Sequence, residues 1–193
     1  MTTTHELGTR ERIVRATSRL MQRRGYEATG LKQISQEARA TLGSVYHFFP
    51  GGKAELAVAA VRHSDEEFAA FLREVLDEAD DPAQAMIVCA ERLAQGLSDS
   101  GWLDGCPITT TALESSGRAP DIQRAADEAF AHWRAVVAAR LRRSGFAGDV
   151  AADLAHTVVN TLEGAEMSAQ VSQSRTPLLV AGRHLARLID SYR

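Results

Sequence analysis

Residues 31–56 read LKQISQEARATLGSVYHFFPGGKAEL, and this stretch predicts the fold more directly than any other part of the chain. Its apolar spacing predicts two short helices, at about 31–38 and 42–49, joined by a tight turn. Pro50 disfavours helix in the residue before it, and the glycine pair that follows permits the bend that opens the next helix. This order is typical of a helix-turn-helix, whose second helix enters the major groove of DNA.

The helix upstream of this stretch is amphipathic and rich in arginine. We predict that it begins near Thr9, acting as the N-cap, and ends before Gly25, acting as the C-terminal cap. Thr29 is in a position either to cap the helix at 31–38 or to offer its hydroxyl to a phosphate. The predicted inward-facing residues are Ile13, Ala16, Leu20 and Met21 in the first helix and Leu31, Ile34 and Ala38 in the second.

Helical spacing continues to the end of the chain, without strand-like alternation. Turn residues divide the remainder into six further helices. We therefore predict an all-α fold of about nine helices, with a three-helix head at 1–52 and a helical body at 53–193. The six further helices are expected at about 53–78, 82–100, 107–116, 121–144, 149–172 and 177–191.

Charge is distributed unevenly along the chain. The net charge of −3 over 193 residues would by itself argue against a nucleic-acid partner. Residues 1–64, however, carry ten Lys or Arg and five Asp or Glu, net +5, whereas residues 65–193 are net −8. A basic head on an acidic body predicts that the head binds DNA.

Composition and motifs argue against several other classes of protein. A hydrophobic content of 45% suits a globular core, and no apolar run suggests a membrane span or a signal peptide, so we expect a cytoplasmic protein. Cys89 and Cys106 lie seventeen residues apart without nearby histidine pairs, which predicts neither a disulfide scaffold nor a metal site, and we expect no cofactor. Glu163 and Glu166 share a helical face, as solvated pairs commonly do, and with no catalytic motif present we do not expect an enzyme.

Residue types in the predicted reader helix indicate how DNA is contacted. Ser44 can donate to or accept from a base edge, and Leu42 can meet a thymine methyl group. Tyr46 and His47 can reach phosphate oxygens. Val45 could approach a base or pack in the core. The candidate DNA-contacting residues are Arg10, Thr29, Arg39, Thr41, Leu42, Ser44, Val45, Tyr46, His47 and Lys53.

Lys53 opens the helix that follows. A cation in a first helical turn is disfavoured by the helix dipole by roughly 0.3–1 kcal/mol, so its position suggests a compensating anion. A DNA phosphate is one such anion, because helix N-termini and adjacent lysines both favour phosphate. An ordinary solvated lysine is the alternative.

Residues 31–56 and the helix that precedes them resemble the TetR family of transcriptional regulators. The strings Gly105-Cys106-Pro107-Ile108 and Leu162-Glu163-Gly164-Ala165 resemble its LmrA/YxaF-like branch. The resemblance implies a homodimeric repressor that binds a palindromic operator in double-stranded DNA and is released by a small-molecule effector. It also implies DNA binding by residues 1–52, with a phosphate contact from Lys53, and ligand binding and dimerisation by residues 53–193.

Two residues depart from the pattern of that family. Arg39 stands where the family usually has glycine, and Leu42 stands where it usually has lysine or arginine. A residue other than glycine is disfavoured in a left-handed conformation, so we expect a reshaped or slightly strained turn at Arg39.

In the body, the helices at 121–144 and 149–172 are expected to pair with their two-fold mates, as the resemblance implies. Aromatic and sulfur-bearing side chains predict an apolar or aromatic effector, with core packing as the alternative for each of them. A thiol-based redox response through Cys106, or a DNA-binding protein without an effector, are the alternative functions. The candidate ligand-binding residues are Phe68, Phe71, Met86, Cys89, Trp102, Cys106, Ile108, Phe130, Trp133 and Met167.

Overall fold

The computed structural model describes residues 7–193 of the chain. Residues 1–6, at the start of the predicted domain 1–52, lie outside the described residues. The described part consists of nine α-helices and contains no β-strand, which confirms the all-α fold class. The helices are α1 (Thr9–Arg24), α2 (Leu31–Glu37), α3 (Leu42–Phe48), α4 (Gly52–Glu78), α5 (Pro82–Asp99), α6 (Pro107–Glu114), α7 (Pro120–Arg143), α8 (Gly148–Ser172) and α9 (Thr176–Asp190).

Local sequence sets most of the helix ends. α1 ends at Gly25, whose φ of +78° confirms the predicted C-terminal cap. The predicted N-cap at Thr9 is wrong. Gly8 occupies that position, and the Thr9 hydroxyl instead accepts a hydrogen bond from the Arg12 guanidinium at 3.3 Å. α5 begins as the sequence suggests, with Pro82 in its first turn and Asp81 accepting from a main-chain N–H.

One apolar core holds the first helices together. Side chains from α1, α2, α3 and α4 meet in it, so burial fixes how α3 lies against the other three helices. Each large apolar side chain buried in this way stabilises the fold by about 1.5–3 kcal/mol. The buried members are Ile13, Val14, Ala16, Leu20, Ile34, Ala38, Val45, Phe49 and Leu56, with Leu31 packed against them. Met21 is also buried, as predicted, but in a second cluster with Ala57, Ala60 and Ile122.

The turn between α2 and α3 is a Schellman motif built on a residue other than glycine. The Ala40 N–H donates to the Ser35 carbonyl at 2.9 Å, and the Arg39 N–H donates to the Gln36 carbonyl at 3.1 Å. Arg39 has φ +49°, so the chain adopts the left-handed turn that glycine would favour. Because a residue other than glycine is disfavoured in this conformation, the left-handed φ of Arg39 agrees with the slight strain expected at this turn.

The chain forms two compact units. One contains Leu7 to Ser64 together with Pro107–Ala126, and the other contains Asp65–Cys106 together with Asp127–Arg193. α4 and α7 each contribute residues to both units. The functional division at residues 52 and 53 stays a prediction.

Within the second unit, α5, α8 and α9 pack against one another. Gly182 of α9 is buried where the two backbones approach closely, because a Cβ at this position would lie 2.7 Å from the Ala90 Cβ and 3.1 Å from the Met86 carbonyl oxygen. Only the absence of a side chain allows α9 to lie this near to α5.

Candidate nucleic-acid interface and body site

The solvent-facing side of α3 carries the polar groups that the sequence predicted for DNA. Thr41 is the N-cap, and its hydroxyl accepts a hydrogen bond from the Ser44 N–H at 3.0 Å. The Thr41 and Ser44 hydroxyl oxygens lie 2.8 Å apart and share a second hydrogen bond. Tyr46 is 51% exposed and His47 is also exposed, so a solvent-exposed polar edge runs along this helix.

Two predicted contact residues lie in the interior instead. Val45 is fully buried in the core of the head, so of its two predicted roles, approaching a base or packing in the core, the structure shows the second. Thr29 is also fully buried, and its hydroxyl donates to the Gly25 carbonyl at 2.7 Å. Gly30 is the N-cap of α2 without any side-chain bond, so the predicted capping role of Thr29 is wrong. The Thr29 hydroxyl is inaccessible to a phosphate because it is buried and already donates a hydrogen bond within the turn after α1.

The start of α4 supplies its own anion. The Glu55 carboxylate, in the first turn, accepts from the Gly51 N–H at 2.7 Å, which provides the negative charge that a helix N-terminus favours. The Lys53 ammonium donates to the Glu27 carbonyl at 3.1 Å and lies 4.4 Å from the centre of the Tyr26 ring. Interactions within the chain thus orient the Lys53 side chain without a bound phosphate.

Glu27 links this lysine to α6. Its N–H donates to the Glu114 carboxylate at 2.9 Å, and its own carboxylate pairs with Arg118 at 2.8 Å. Gly25 makes room for the contact, because a Cβ there would overlap the Glu114 carboxylate. Glu27, whose carbonyl holds Lys53, is therefore fastened to the end of α6 through Glu114 and to the segment after α6 through Arg118.

Basic side chains surround the exposed edge. Arg10 is exposed and lies 5.3 Å from the centre of the Phe49 ring, while Arg39 is exposed at the turn before α3. Arg12 bonds within the chain: its Nε donates to the Ala38 carbonyl at 3.2 Å, which connects α1 to the end of α2. Leu42 is partly buried at the first position of α3. This arrangement suits a reader helix flanked by phosphate-binding cations.

Comparison with known proteins identifies this combination of helices. The pattern described as "Bacterial regulatory proteins, tetR family" matches residues 13–60, and that of "Transcriptional regulator LmrA/YxaF-like, C-terminal domain" matches residues 82–184. The chain belongs to the TetR family. It is therefore a DNA-binding transcriptional regulator with a C-terminal domain of the LmrA/YxaF-like type, in a family that is not enzymatic.

Individual relatives cover nearly the whole chain. The uncharacterized HTH-type transcriptional regulator YxaF of Bacillus subtilis is 33% identical over 93% of this chain and 94% of its own length. The HTH-type transcriptional regulator LmrA of the same organism is 34% identical over 88% and 90%, respectively. The crystal structure of regulatory protein TetR from Rhodobacter sphaeroides shares the fold, with a TM-score of 0.82, 24% identity and coverage of 93% of this chain and 97% of that chain.

In the body of this TetR-family chain, four of the predicted ligand-binding residues form one aromatic cluster. The Phe68 ring centre lies 5.6 Å from that of Phe71 and 4.5 Å from that of Trp133. Phe130 meets Trp133 edge-on at 5.1 Å. The Trp133 indole N–H donates to the Asp65 carbonyl at 3.4 Å, which satisfies the polar end of a buried ring.

The other predicted ligand-binding residues differ in exposure. Met86, Cys89 and Ile108 are fully buried, whereas Met167 is 51% exposed. Trp102 and Cys106 are partly buried. Burial raises the pKa of the Cys89 thiol to about 12, so at neutral pH this sulfur is protonated and unreactive. The roles in ligand binding of these residues and of the aromatic cluster stay predictions, as do the individual DNA contacts.

A polar cluster that the sequence did not predict lies beside the aromatic rings. The Asp65 carboxylate bonds His132 Nδ1 at 2.9 Å, and the Arg73 guanidinium lies 2.7 Å from His132 Nε2. Because Arg73 can only donate, Nε2 accepts and Nδ1 carries the proton donated to Asp65. Burial raises the pKa of Asp65, although the bond to His132 opposes that shift. His132 is therefore a fixed link between α4 and α7.

The structure also brings together Cys106, Glu163 and Glu166, whose donor atoms all lie within 4.8 Å of one another. The expectation that the two glutamates form a solvated pair is wrong, because both are partly buried. Burial, followed by the charge of Glu163, raises the pKa of Glu166 to about 8. Distance along the chain concealed this group, since Cys106 precedes α6 while the glutamates belong to α8.

Among residues 7–193, no helix is long and apolar enough to cross a lipid bilayer.

Proposed function

We propose that this protein is a cytoplasmic homodimeric repressor that binds a palindromic operator in double-stranded DNA and is released by a small apolar or aromatic effector. The observation that carries the proposal is the exposed polar edge of α3, supported from behind by the buried Val45 and Phe49. A rigid helix with exposed polar side chains is what major-groove reading requires.

The residues divide into two roles. Thr41 and Ser44 meet base edges, and Leu42 meets a thymine methyl group. Charged and polar side chains at the margins bind phosphates and fix the register without reading sequence. Those phosphate-binding residues are Arg10, Arg39, Tyr46, His47 and Lys53.

Dimerisation gives the short reader helix enough specificity, because two heads about 34–36 Å apart read both halves of a palindrome. Exposed apolar side chains support an interface in the body: Met167 and Val171 on α8 are 51% and 88% exposed, and Val180 on α9 is 36% exposed. These residues favour α8 with α9 as the pairing surface, instead of the predicted pairing of α7 with α8.

The aromatic cluster around Trp133 supports an apolar or aromatic effector. We propose that the effector displaces the first turns of α4, about residues 53–63, and changes the spacing of the two heads. This requires the effector to prefer the arrangement that does not bind DNA, with a coupling of typically about 1–3 kcal/mol. Spin labels on the two heads test the idea, and an unchanged separation with unchanged operator affinity contradicts it.

A redox response is the second candidate, and it concerns Cys106. Cys106 is partly buried, whereas Cys89 is fully buried with a strongly raised pKa. Treating the protein with peroxide and then with a reductant should release and restore DNA binding if Cys106 is the sensor. Persistence of that response in Cys106→Ala would eliminate this candidate.

The main test is titration of DNA from the protein's own promoter region, followed by fluorescence anisotropy at several salt concentrations. Lys53→Ala should weaken binding to all sequences and reduce the salt slope by about one, whereas Ser44→Ala should change which sequence is preferred. Arg142→Ala, which removes an exposed cation from the end of α7, outside the proposed pairing surface, is the matched control and should leave binding unchanged. Equal affinity of the unmodified protein for promoter and random DNA would contradict the proposal.

A further inference from the structure

The group formed by Cys106, Glu163 and Glu166 combines one sulfur and two carboxylates from separate parts of the second unit. Their donor atoms lie within 4.8 Å of one another, close to the separation that three ligands of a single ion require. The two glutamates are one turn apart on α8, so both carboxylates project from the same side of that helix.

The loop that carries Cys106 is fixed against α8. The Gln170 side-chain amide, one turn beyond Glu166, donates to the Leu103 carbonyl at 3.3 Å. Gly105 is buried, and a Cβ there would lie 2.5 Å from the Gln170 amide oxygen. A glycine immediately before Cys106 therefore lets the loop approach α8 closely enough to bring the sulfur to the glutamates.

The negative charge of the Glu166 carboxylate is not balanced by a positive group in this arrangement of the described residues. Although the residue as a whole is partly exposed, its carboxylate end is largely buried, and no hydrogen bond or ion pair to it is found among residues 7–193. Glu163 adds a second negative charge beside it. Burying the Glu166 carboxylate without a partner is unfavourable, and a bound cation would remove both its repulsion from Glu163 and its own unmet bonding capacity.

We propose that Cys106, Glu163 and Glu166 form a binding site for a divalent cation of borderline softness, with zinc as the best fit. Thiolate and carboxylate together suit Zn²⁺, with bond lengths of about 2.3 Å to sulfur and about 2.0–2.2 Å to oxygen, and a water molecule completes four ligands. On binding, the Cys106 thiol releases its proton to water and coordinates as the thiolate. The site goes beyond the proposed effector site and does not depend on it.

Cobalt is the probe, because a thiolate bound to Co²⁺ gives a charge-transfer band in the near ultraviolet. Titrating the reduced full-length protein with Co²⁺ should produce this band with one equivalent of metal, and Zn²⁺ should displace it. Cys106→Ala should abolish the band. Cys89→Ala is the matched control for loss of a thiol and should retain it.

Glu163→Gln and Glu166→Gln should each weaken Co²⁺ binding by at least about tenfold. Asp153→Asn, which removes an exposed carboxylate from the same helix, should bind Co²⁺ like the unmodified protein. Circular dichroism of each variant verifies folding, and the glutamine variants preserve side-chain size so that the comparison does not depend on Cys106→Ala alone.

Three outcomes would overturn the site: a band that persists in Cys106→Ala, a band that requires Cys89 instead, or equal affinity in Glu166→Gln and Asp153→Asn. The titration contains no DNA and no effector. Its failure therefore leaves the proposed repressor intact, while a failure to bind operator DNA leaves the metal site intact.

Discussion

Replacing Gly182 by alanine should destabilise the body although alanine is the better helix former. The new Cβ would lie 2.7 Å from the Ala90 Cβ and 3.1 Å from the Met86 carbonyl oxygen, so α9 would have to move away from α5. Overpacking of this kind costs about 1–3 kcal/mol, while replacing a helical glycine gains about 1 kcal/mol, so we expect a net loss of about 1 kcal/mol. For a chain of this length that loss lowers Tm by about 2–4 °C.

Gly96→Ala is the matched control, because Gly96 is also helical but a Cβ there would meet no atom within 4 Å. It should gain about 1 kcal/mol, so the two variants should melt about 4–8 °C apart. Thermal unfolding followed by circular dichroism measures both, at one protein concentration because self-association would shift Tm. Equal melting temperatures for the two variants would refute the argument that α5 and α9 are in close backbone contact.

Three further predictions concern the head and the thiols. Arg39→Gly should raise the free energy of unfolding by about 0.5–1 kcal/mol, because glycine adopts the left-handed conformation without steric strain, a gain only partly offset by the greater flexibility of the unfolded chain. Arg39→Ala keeps the strain and should give no gain. Urea denaturation measures both. Glu114→Ala should lower stability by about 1 kcal/mol in the same assay by removing the acceptor of the Glu27 N–H, and an unchanged midpoint would show that α6 is not fastened there. In native protein, a thiol reagent at pH 8 should label Cys106 and spare Cys89, whose pKa of about 12 leaves almost no thiolate; fast labelling of Cys106→Ala would contradict this.

Local sequence determines the features that were predicted correctly. The helix ends follow glycine and proline, as at Gly25 and Pro82, because these residues act through their own backbone geometry. The left-handed turn at Arg39 was also predictable, since the resemblance indicated a position that glycine normally fills. Such features need no knowledge of distant contacts.

The remaining features depend on partners that are far away in sequence. Thr29 was assigned to DNA from its position beside a helix end, but it is buried and bonds Gly25. Lys53 stays a predicted phosphate contact, and its bond to Glu27, 26 residues earlier in the chain, could not be foreseen from its position. Cys106 was judged by the absence of nearby histidines, whereas its neighbours are two glutamates on α8. Side-chain environments of this kind arise from tertiary packing, which composition and spacing do not encode.

If Thr41 and Ser44 contact bases as proposed, their shared hydrogen bond would make these two side chains a single recognition unit on the operator. Turning one hydroxyl toward a base reorients the proton of the other, so preferences at adjoining base pairs will be correlated. Substitutions at the two positions should then combine non-additively, and a matrix that scores each operator position independently will misjudge this protein's sites.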